Sequence, residues 1–367
     1  MKKSLLALAV LGAFAGVASA QSSVTLYGTV DVNGRYVKND GGSKARYSLS
    51  QDGINSSQLG FRGVEDLGGG LKAGFTLLAG VNADTGSTNS QFFNRRATVS
   101  LLGGFGEVRL GRDYSPTFWN TTIFDAFGTN GLGDSSGVKQ IAAADYVRAN
   151  NMIGYFLPSN IGGIYGQFNV AAGEAAAAGR YIGGRVGFAA GPFDVAVAYS
   201  QERVGAGGAQ LTYISGLPNP PGNPVPGSTG QKYKSLNVGG SFDFGVAKIL
   251  GYVQEEKVAS FKDRIYSLSG VVPFGQSEIH VGGELSKLTG SINNKVKKYS
   301  LGYVYNLSKR TALYSTAALV DNDNASRVSL GSVGASTVGS GSSGSATAAP
   351  NAGGKSKGIE FGVRHFF

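Results

Sequence analysis

From residue 21 onward, hydrophobic and polar side chains change places at every second position, in stretches of about ten residues separated by turns. In the first stretch Val24, Leu26, Gly28, Val30 and Val32 share one face, and Thr25, Tyr27, Thr29, Asp31, Asn33 and Arg35 share the other. Leu59 and Phe61 then oppose Gln58, Gly60 and Arg62. After an Asp66-Leu67-Gly68-Gly69-Gly70 turn, Leu71, Ala73, Phe75 and Leu77 oppose Lys72, Gly74, Thr76 and Leu78. A fourth strand is predicted over 93–102, a fifth ends at Arg112, and the pattern resumes over 146–156. Later strands are predicted over 164–170, 181–188, 193–200, 236–242, 247–255, 264–273, 278–288, 299–307, 311–320 and 359–367. Tyr299, Leu301, Tyr303, Tyr305 and Leu307 make the clearest apolar face.

One greasy face and one wet face, repeated along the chain, predict an all-β transmembrane antiparallel barrel of about sixteen strands. An even number lets the first and last strands meet, so that every backbone N–H and C=O in lipid finds a partner. Side chains cannot fill a barrel of that size, and an aqueous channel remains. A soluble sandwich or β-solenoid is excluded, because the strands share no hydrophobic inner core and the repeats are too irregular.

Three long connections interrupt the hairpins. Residues 111–145 hold the chain's single tryptophan, Trp119, and mix aromatics with Asp113, Asp125 and Asp134. With no secondary structure of its own foreseen, a loop of this length is expected to be functional, folding back into the barrel and narrowing it. Residues 204–232 contain Pro218, Pro220, Pro221, Pro224 and Pro226, and are expected to form no strand. Residues 321–356 are rich in Ser, Gly and Ala.

At the N-terminus Lys2 and Lys3 precede an apolar run too short to span a bilayer, and Ala18-Ser19-Ala20 closes it. Residues 1–20 therefore read as a secretory signal peptide, and 21–367 as the barrel. The chain has no cysteine, 59 Gly, 17 Tyr and 20 Phe, a composition suited to strands, turns and aromatic girdles. Net charge is +10, and loss of Lys2 and Lys3 would leave +8. With export predicted and no base-contacting motif present, that excess points to an anionic surface or anionic solutes rather than nucleic acid.

On this phase Arg35, Arg62, Lys72, Arg185 and Arg364 face water, while Arg95, Arg96, Arg109, Arg112 and Arg148 lie near the base of the long loop. A ring of guanidinium groups around the narrowest point favours anions. Each is worth on the order of 1 kcal/mol at water-like dielectric, which gives a several-fold preference rather than exclusion of cations. Strict alternation would send only one of Arg95 and Arg96 inward. Asp113 and Asp125 either balance the arginines across the opening or cap turns within the loop. Catalysis is not expected, since His280, Glu284 and Ser286 would stand in a row along one strand, about 7 Å per step, without mutual contact. No cofactor or metal is expected; Asp321-Asn322-Asp323-Asn324 lacks the rest of a calcium loop.

Several segments together carry a family resemblance. They are Ser23-Val24-Thr25-Leu26-Tyr27-Gly28, the run from Leu59 through Gly63-Val64-Glu65-Asp66 to Ala73, Phe105-Gly106-Glu107-Val108-Arg109-Leu110-Gly111-Arg112-Asp113, Arg148-Ala149-Asn150-Asn151, Leu301-Gly302-Tyr303-Val304-Tyr305-Asn306, and the terminal Arg364-His365-Phe366-Phe367. With them the chain resembles the Gram-negative general porins of β-proteobacteria, in particular the anion-selective Comamonas type. The resemblance implies a sixteen-stranded homotrimer in the outer-membrane lipid that passes small anions and hydrophilic solutes passively, with a third loop folded inward. It also implies a terminal aromatic, Phe367, read by the β-barrel assembly machinery. Arg95 and Arg148 fall on constriction arginines and Asp125 on the loop aspartate. Gln58 stands where an arginine, and Leu78 where a glutamate, is usual. Two rival expectations are an anion-specific channel for phosphate or small carboxylates, and a structural or adhesive barrel with an occluded lumen.

Overall fold

The structure, a computed structural model, describes residues 23–41, 44–88, 91–143, 147–173, 180–204, 211–214, 230–330 and 349–367. Residues 1–20, expected to be a signal peptide, most of loop 204–232 and the middle of loop 321–356 lie outside the described residues. Eighteen strands join in one antiparallel sheet, two of them the short segments Arg46–Gln51 and Ser87–Thr88. The remaining sixteen form the wall of a closed barrel. They are β1 Ser23–Asn39, β2 Gln58–Gly68, β3 Leu71–Asn82, β4 Arg96–Gly103, β5 Gly106–Tyr114, β6 Arg148–Phe156, β7 Ile164–Ala171 and β8 Tyr181–Ala190. There follow β9 Phe193–Arg203, β10 Lys232–Asp243, β11 Lys248–Val258, β12 Phe261–Phe274, β13 Ser277–Thr289, β14 Asn294–Asn306, β15 Thr311–Asp323 and β16 Lys355–Phe366.

Closure comes from β1 pairing with β16, from Thr29 opposite Phe366 to Asn39 opposite Ser356. Phe367 prolongs that seam through reciprocal backbone bonds with Gly28 of 3.0 and 3.1 Å. No wall strand is left with an unpaired edge, as a bilayer requires. Side chains are inverted relative to a soluble sheet. On β14 Tyr299, Leu301, Tyr303 and Tyr305 are exposed on the outside, while Lys298 and Ser300 are buried inside.

The wall strands reach further than the apolar alternation predicts. β14 starts at Asn294 and β12 at Phe261, because alternation fades where charged positions replace apolar ones at the loop end, although the ladder continues. β4 begins at Arg96, not 93. β5 runs to Tyr114, so Asp113 belongs to the wall and not to the long loop.

The long loop has secondary structure that its sequence did not announce. Helix α1, Pro116–Ile123, starts at Ser115, whose Oγ accepts the Phe118 N–H at 3.2 Å, with Pro116 where no N–H is needed. A 3-10 turn, Ser135–Val138, follows, and Ile141–Ala143 pairs with Leu211–Ile214. The expectation that 204–232 forms no strand is thereby corrected. Leu211-Thr212-Tyr213-Ile214 precedes the prolines and has the β-branched and aromatic make-up that strands favour.

Hydrogen bonds fasten the loop to one half of the inner wall. Asn120 Nδ2 donates to Asn237 Oδ1 at 2.7 Å, Thr121 Oγ1 to Gln254 Oε1 at 2.9 Å, and Gln140 N–H to Asp263 Oδ2 at 2.8 Å. Leu132 N–H reaches Glu360 Oε1 at 3.0 Å. Phe124, fully buried, sits over Gly239, where any Cβ would strike its ring. Lys139, buried in the loop, pairs with Glu256; burial pushes its ammonium pKa down against that pairing. The open part of the lumen lies beside the loop.

Candidate functional site: the pore constriction

Beside the loop lies a cavity of about 620 Å³, bordered by the wall of β1–β6 and by Glu278 and His280 of β13, Val304 and Asn306 of β14 and Arg364 of β16. Arg95, Arg96, Arg148, Tyr114, Gln58 and Leu78 line it from the wall, and Trp119, Thr122, Asp125, Phe127 and Asn130 from the loop. Both Arg95 and Arg96 reach it. Arg95 precedes the first residue of β4, so the alternation that separates neighbours within a strand does not bind it; its N–H is held by Leu78 O at 3.1 Å.

The arginines fall into two groups by their partners. Arg96 Nε donates to Asp113 Oδ1 at 2.7 Å, and Arg109 bridges Glu107 and Asp113 at 2.8 and 2.5 Å. Arg148, nearly buried, lies 4.5 Å over the Tyr114 ring and donates to its hydroxyl at 3.2 Å. The Nε atoms of Arg95 and Arg148 are buried with no partner among the described residues, and neither side chain pairs with a described carboxylate. Arg364 lines the same cavity with its Nε likewise buried and without a partner among the described residues, and donates through Nη1 to Asn55 Oδ1 at 3.3 Å.

Other residues expected at the constriction lie elsewhere. Arg35 is buried and pairs with Glu360 at 2.8 Å, and that glutamate also holds Leu132 of the loop. Arg62 lies on the inner wall 5.3 Å over the Tyr27 ring, outside the cavity lining. Arg112 follows the irregularity in β5 pairing at Gly111 and donates to Asn94 O at 2.7 Å and Asn150 Oδ1 at 2.6 Å. Asp113 stands on the arginines' own side of the lumen, since β5 extends past it. Asp125 accepts the N–H groups of Phe127, Thr129 and Ser135 at 2.9, 2.9 and 3.1 Å, the turn-capping arrangement. It nevertheless borders the cavity.

A second inward segment escaped the sequence reading. After Gln51 the chain dips below the rim, and Asp31 accepts Gly53, Ile54 and Asn55 N–H groups at 3.1, 2.9 and 2.8 Å. Ile54, Asn55 and Ser56 thus join the lining. The Asp52-Gly53 turn signal and a carboxylate in mid-strand were the available clues. Tyr114 was also missed, for it ends a strand and has no periodic signature. His280 makes no contact with Glu284; its Nδ1 lies 2.8 Å from Ala126 O and its Nε2 3.0 Å from Glu278 Oε2, while Ser286 donates to Asp263.

A closed sixteen-strand barrel, apolar outside, with a loop fastened against one inner wall and a charged opening beside it, defines a membrane channel. The Gram-negative porin family model matches residues 7–325. Outer membrane porin protein 32 of Delftia acidovorans is 39% identical over the whole of both chains. An outer membrane porin protein of Bordetella pertussis is 31% identical, covering 88% of this chain and 95% of that protein. The solved structure of an anion-selective porin from Comamonas acidovorans superimposes with a TM-score of 0.80 at 36% identity, covering 95% of this chain and all of the other. The chain belongs to the Gram-negative porin family: it is an outer-membrane porin, a channel and not an enzyme.

Proposed function

We propose that this porin is a general diffusion pathway for small hydrophilic solutes, with weak to moderate anion preference set by Arg95 and Arg148 and reinforced by Arg96. The observation that carries this reading is the pair of guanidinium groups at the cavity that pair with no described carboxylate, facing a loop carboxylate, Asp125, that is occupied by three backbone N–H groups. Its similarity to a porin described as anion-selective supports the same sign. At about 1 kcal/mol per solvated guanidinium, two or three such groups give a several-fold preference. Assembly as a homotrimer, reading of Phe367 by the β-barrel assembly machinery, and removal of residues 1–20 complete the proposal; family membership and the sequence pattern support them.

The zero-current potential of the purified protein in a planar bilayer under a KCl gradient tests it. Chloride preference that falls several-fold in Arg95→Ala and in Arg148→Ala is expected. Cation preference, or no change in either variant, overturns the assignment. The buried, partnerless Nε atoms also favour a narrower reading, a channel with a saturable site for phosphate or a small carboxylate. Saturable block of chloride current by one of those anions would select it.

A further inference from the structure

Helix α1 turns polar residues to the wall and its largest side chain to water. Asn120 and Thr121 are buried and tied to Asn237 and Gln254, whereas Trp119 is the one exposed residue of the helix and lines the cavity. The hydrophobic effect acting alone would bury the indole and leave the amide and the hydroxyl to water. Here the amide and the hydroxyl fasten the loop, and the indole is left on the path of a solute.

The surroundings of that indole are ordered. It stands 5.5 Å from the Tyr114 ring at an interplanar angle of 34°, and Phe118 stacks on the same tyrosine at 5.8 Å and 11°. Arg148 lies 4.5 Å over that tyrosine and Arg96 5.5 Å from it. Tyr114 is thus the common neighbour of an exposed aromatic surface and two guanidinium groups. Leu78 and Ile54 add apolar surface to the same lining, and Arg95 and Arg148 pair with no described carboxylate. A small inorganic anion would use the arginines and leave the indole, Leu78 and Ile54 facing water. An indole face also attracts organic cations, but Arg95, Arg96 and Arg148 on the same lining repel them.

We propose that the constriction binds single-ring aromatic carboxylates in transit, with the carboxylate on Arg148 and Arg95 and the ring on Trp119. This deepens the anion reading given above and rests on it. A guanidinium edge offers parallel N–H donors that match the two oxygens of a carboxylate. Aromatic rings pair at centroid separations of about 4.5–7 Å, the spacing that Trp119 and Phe118 already keep from Tyr114. In an aryl carboxylate the ring adjoins the charge, as the indole and the Arg148 guanidinium adjoin across a single tyrosine. Ring and carboxylate also form one rigid unit, so little rotational freedom is lost on binding. An aliphatic acid of the same charge satisfies the arginines alone.

Block of chloride current through the purified protein in a planar bilayer, with benzoate, acetate, cyclohexanecarboxylate and benzamide as probes, tests this. Benzoate should reach half-block at a concentration about five- to tenfold below that of acetate, the gain expected of an aromatic contact added to a shared charge. Cyclohexanecarboxylate should lie nearer acetate, and benzamide, which carries no charge, should not block. In Trp119→Leu the benzoate-to-acetate advantage should fall toward unity, and Trp119→Phe should keep part of it. Acetate block within each variant shows that the pore is folded with its arginines in place, so the ratio reports the ring contact alone. In Arg148→Ala block by both acids should weaken together. Equal block by benzoate and acetate in a wild-type pore that prefers chloride overturns this inference and leaves the anion reading standing, whereas cation preference of the wild type overturns both. Equal block by benzoate and cyclohexanecarboxylate, or an undiminished benzoate advantage in Trp119→Leu, overturns it in favour of an apolar lining that takes any apolar acid without the indole.

Discussion

Arg148 holds its guanidinium 4.5 Å above the Tyr114 ring while donating to the same residue's hydroxyl at 3.2 Å. Arg96 lies 5.5 Å from that ring, and Phe118 of the loop helix stacks 5.8 Å away at an interplanar angle of 11°. One tyrosine therefore orients two arginines and ties them to the loop. Tyr114→Ala removes no full charge, yet it releases both guanidinium groups from contacts worth about 0.5–2 kcal/mol each. Anion preference in the zero-current measurement should fall about twofold, with single-channel noise rising as the loop loosens; Tyr114→Phe, which keeps the ring, should lose less.

Tyr114 also marks where sequence reading stops. The barrel was legible because lipid on one side and water on the other impose period two, as on β14, and closure follows from an even count. Charge alone marks a cluster of arginines near the base of the long loop, and the family resemblance singles out Arg95 and Arg148 within it. Which arginine is free depends on partners distant in sequence: Glu360 for Arg35, Asn94 and Asn150 for Arg112. No local pattern encodes those pairings. Asp113 was misplaced because a strand that loses its alternation at an irregular pairing reads as a loop.

Arg35 should prove structural. Its partner Glu360 is buried and also accepts the Leu132 N–H of the loop. Arg35→Met leaves an unpaired carboxylate in the wall, a change that typically costs about 3–5 kcal/mol. The expected result is a lower melting temperature in detergent and a flickering channel, with the anion-to-cation ratio close to that of the wild type. A ratio that collapses while the melting temperature holds would place Arg35 in the filter.

Asp52 gives the channel a pH dependence. It lies in the inward-dipping segment before β2, and burial pushes its carboxyl pKa from 3.8 up to about 6, against the Ser57 N–H and the positive charge of Arg95. The folded protein holds this proton up to about pH 6, whereas an unfolded chain releases it near 3.8. Its contribution to stability is thus present at low pH and lost as pH rises between those values. The same ionisation places a negative charge near Arg95. Chloride preference should decline between about pH 5 and 7, and Asp52→Asn should keep the low-pH value throughout. Identical titrations for the two proteins would remove Asp52 from the account.

Leu78 and Arg96 are direct partners across β3 and β4, and both line the cavity. An apolar side chain there leaves Arg96 with Asp113 as its carboxylate and leaves Arg95, whose N–H bonds to Leu78 O, with none. A carboxylate at this position would stand beside both guanidinium groups inside the opening. Leu78→Glu should therefore lower chloride preference by about as much as losing one arginine, since an added negative charge offsets one positive charge at similar range. Leu78→Gln, of similar size without charge, separates electrostatics from shape: it should alter conductance while leaving the reversal potential near the wild-type value. If Leu78→Gln shifts the potential as far as Leu78→Glu does, selection at this site is steric, and the arginines act by narrowing the opening more than by their charge.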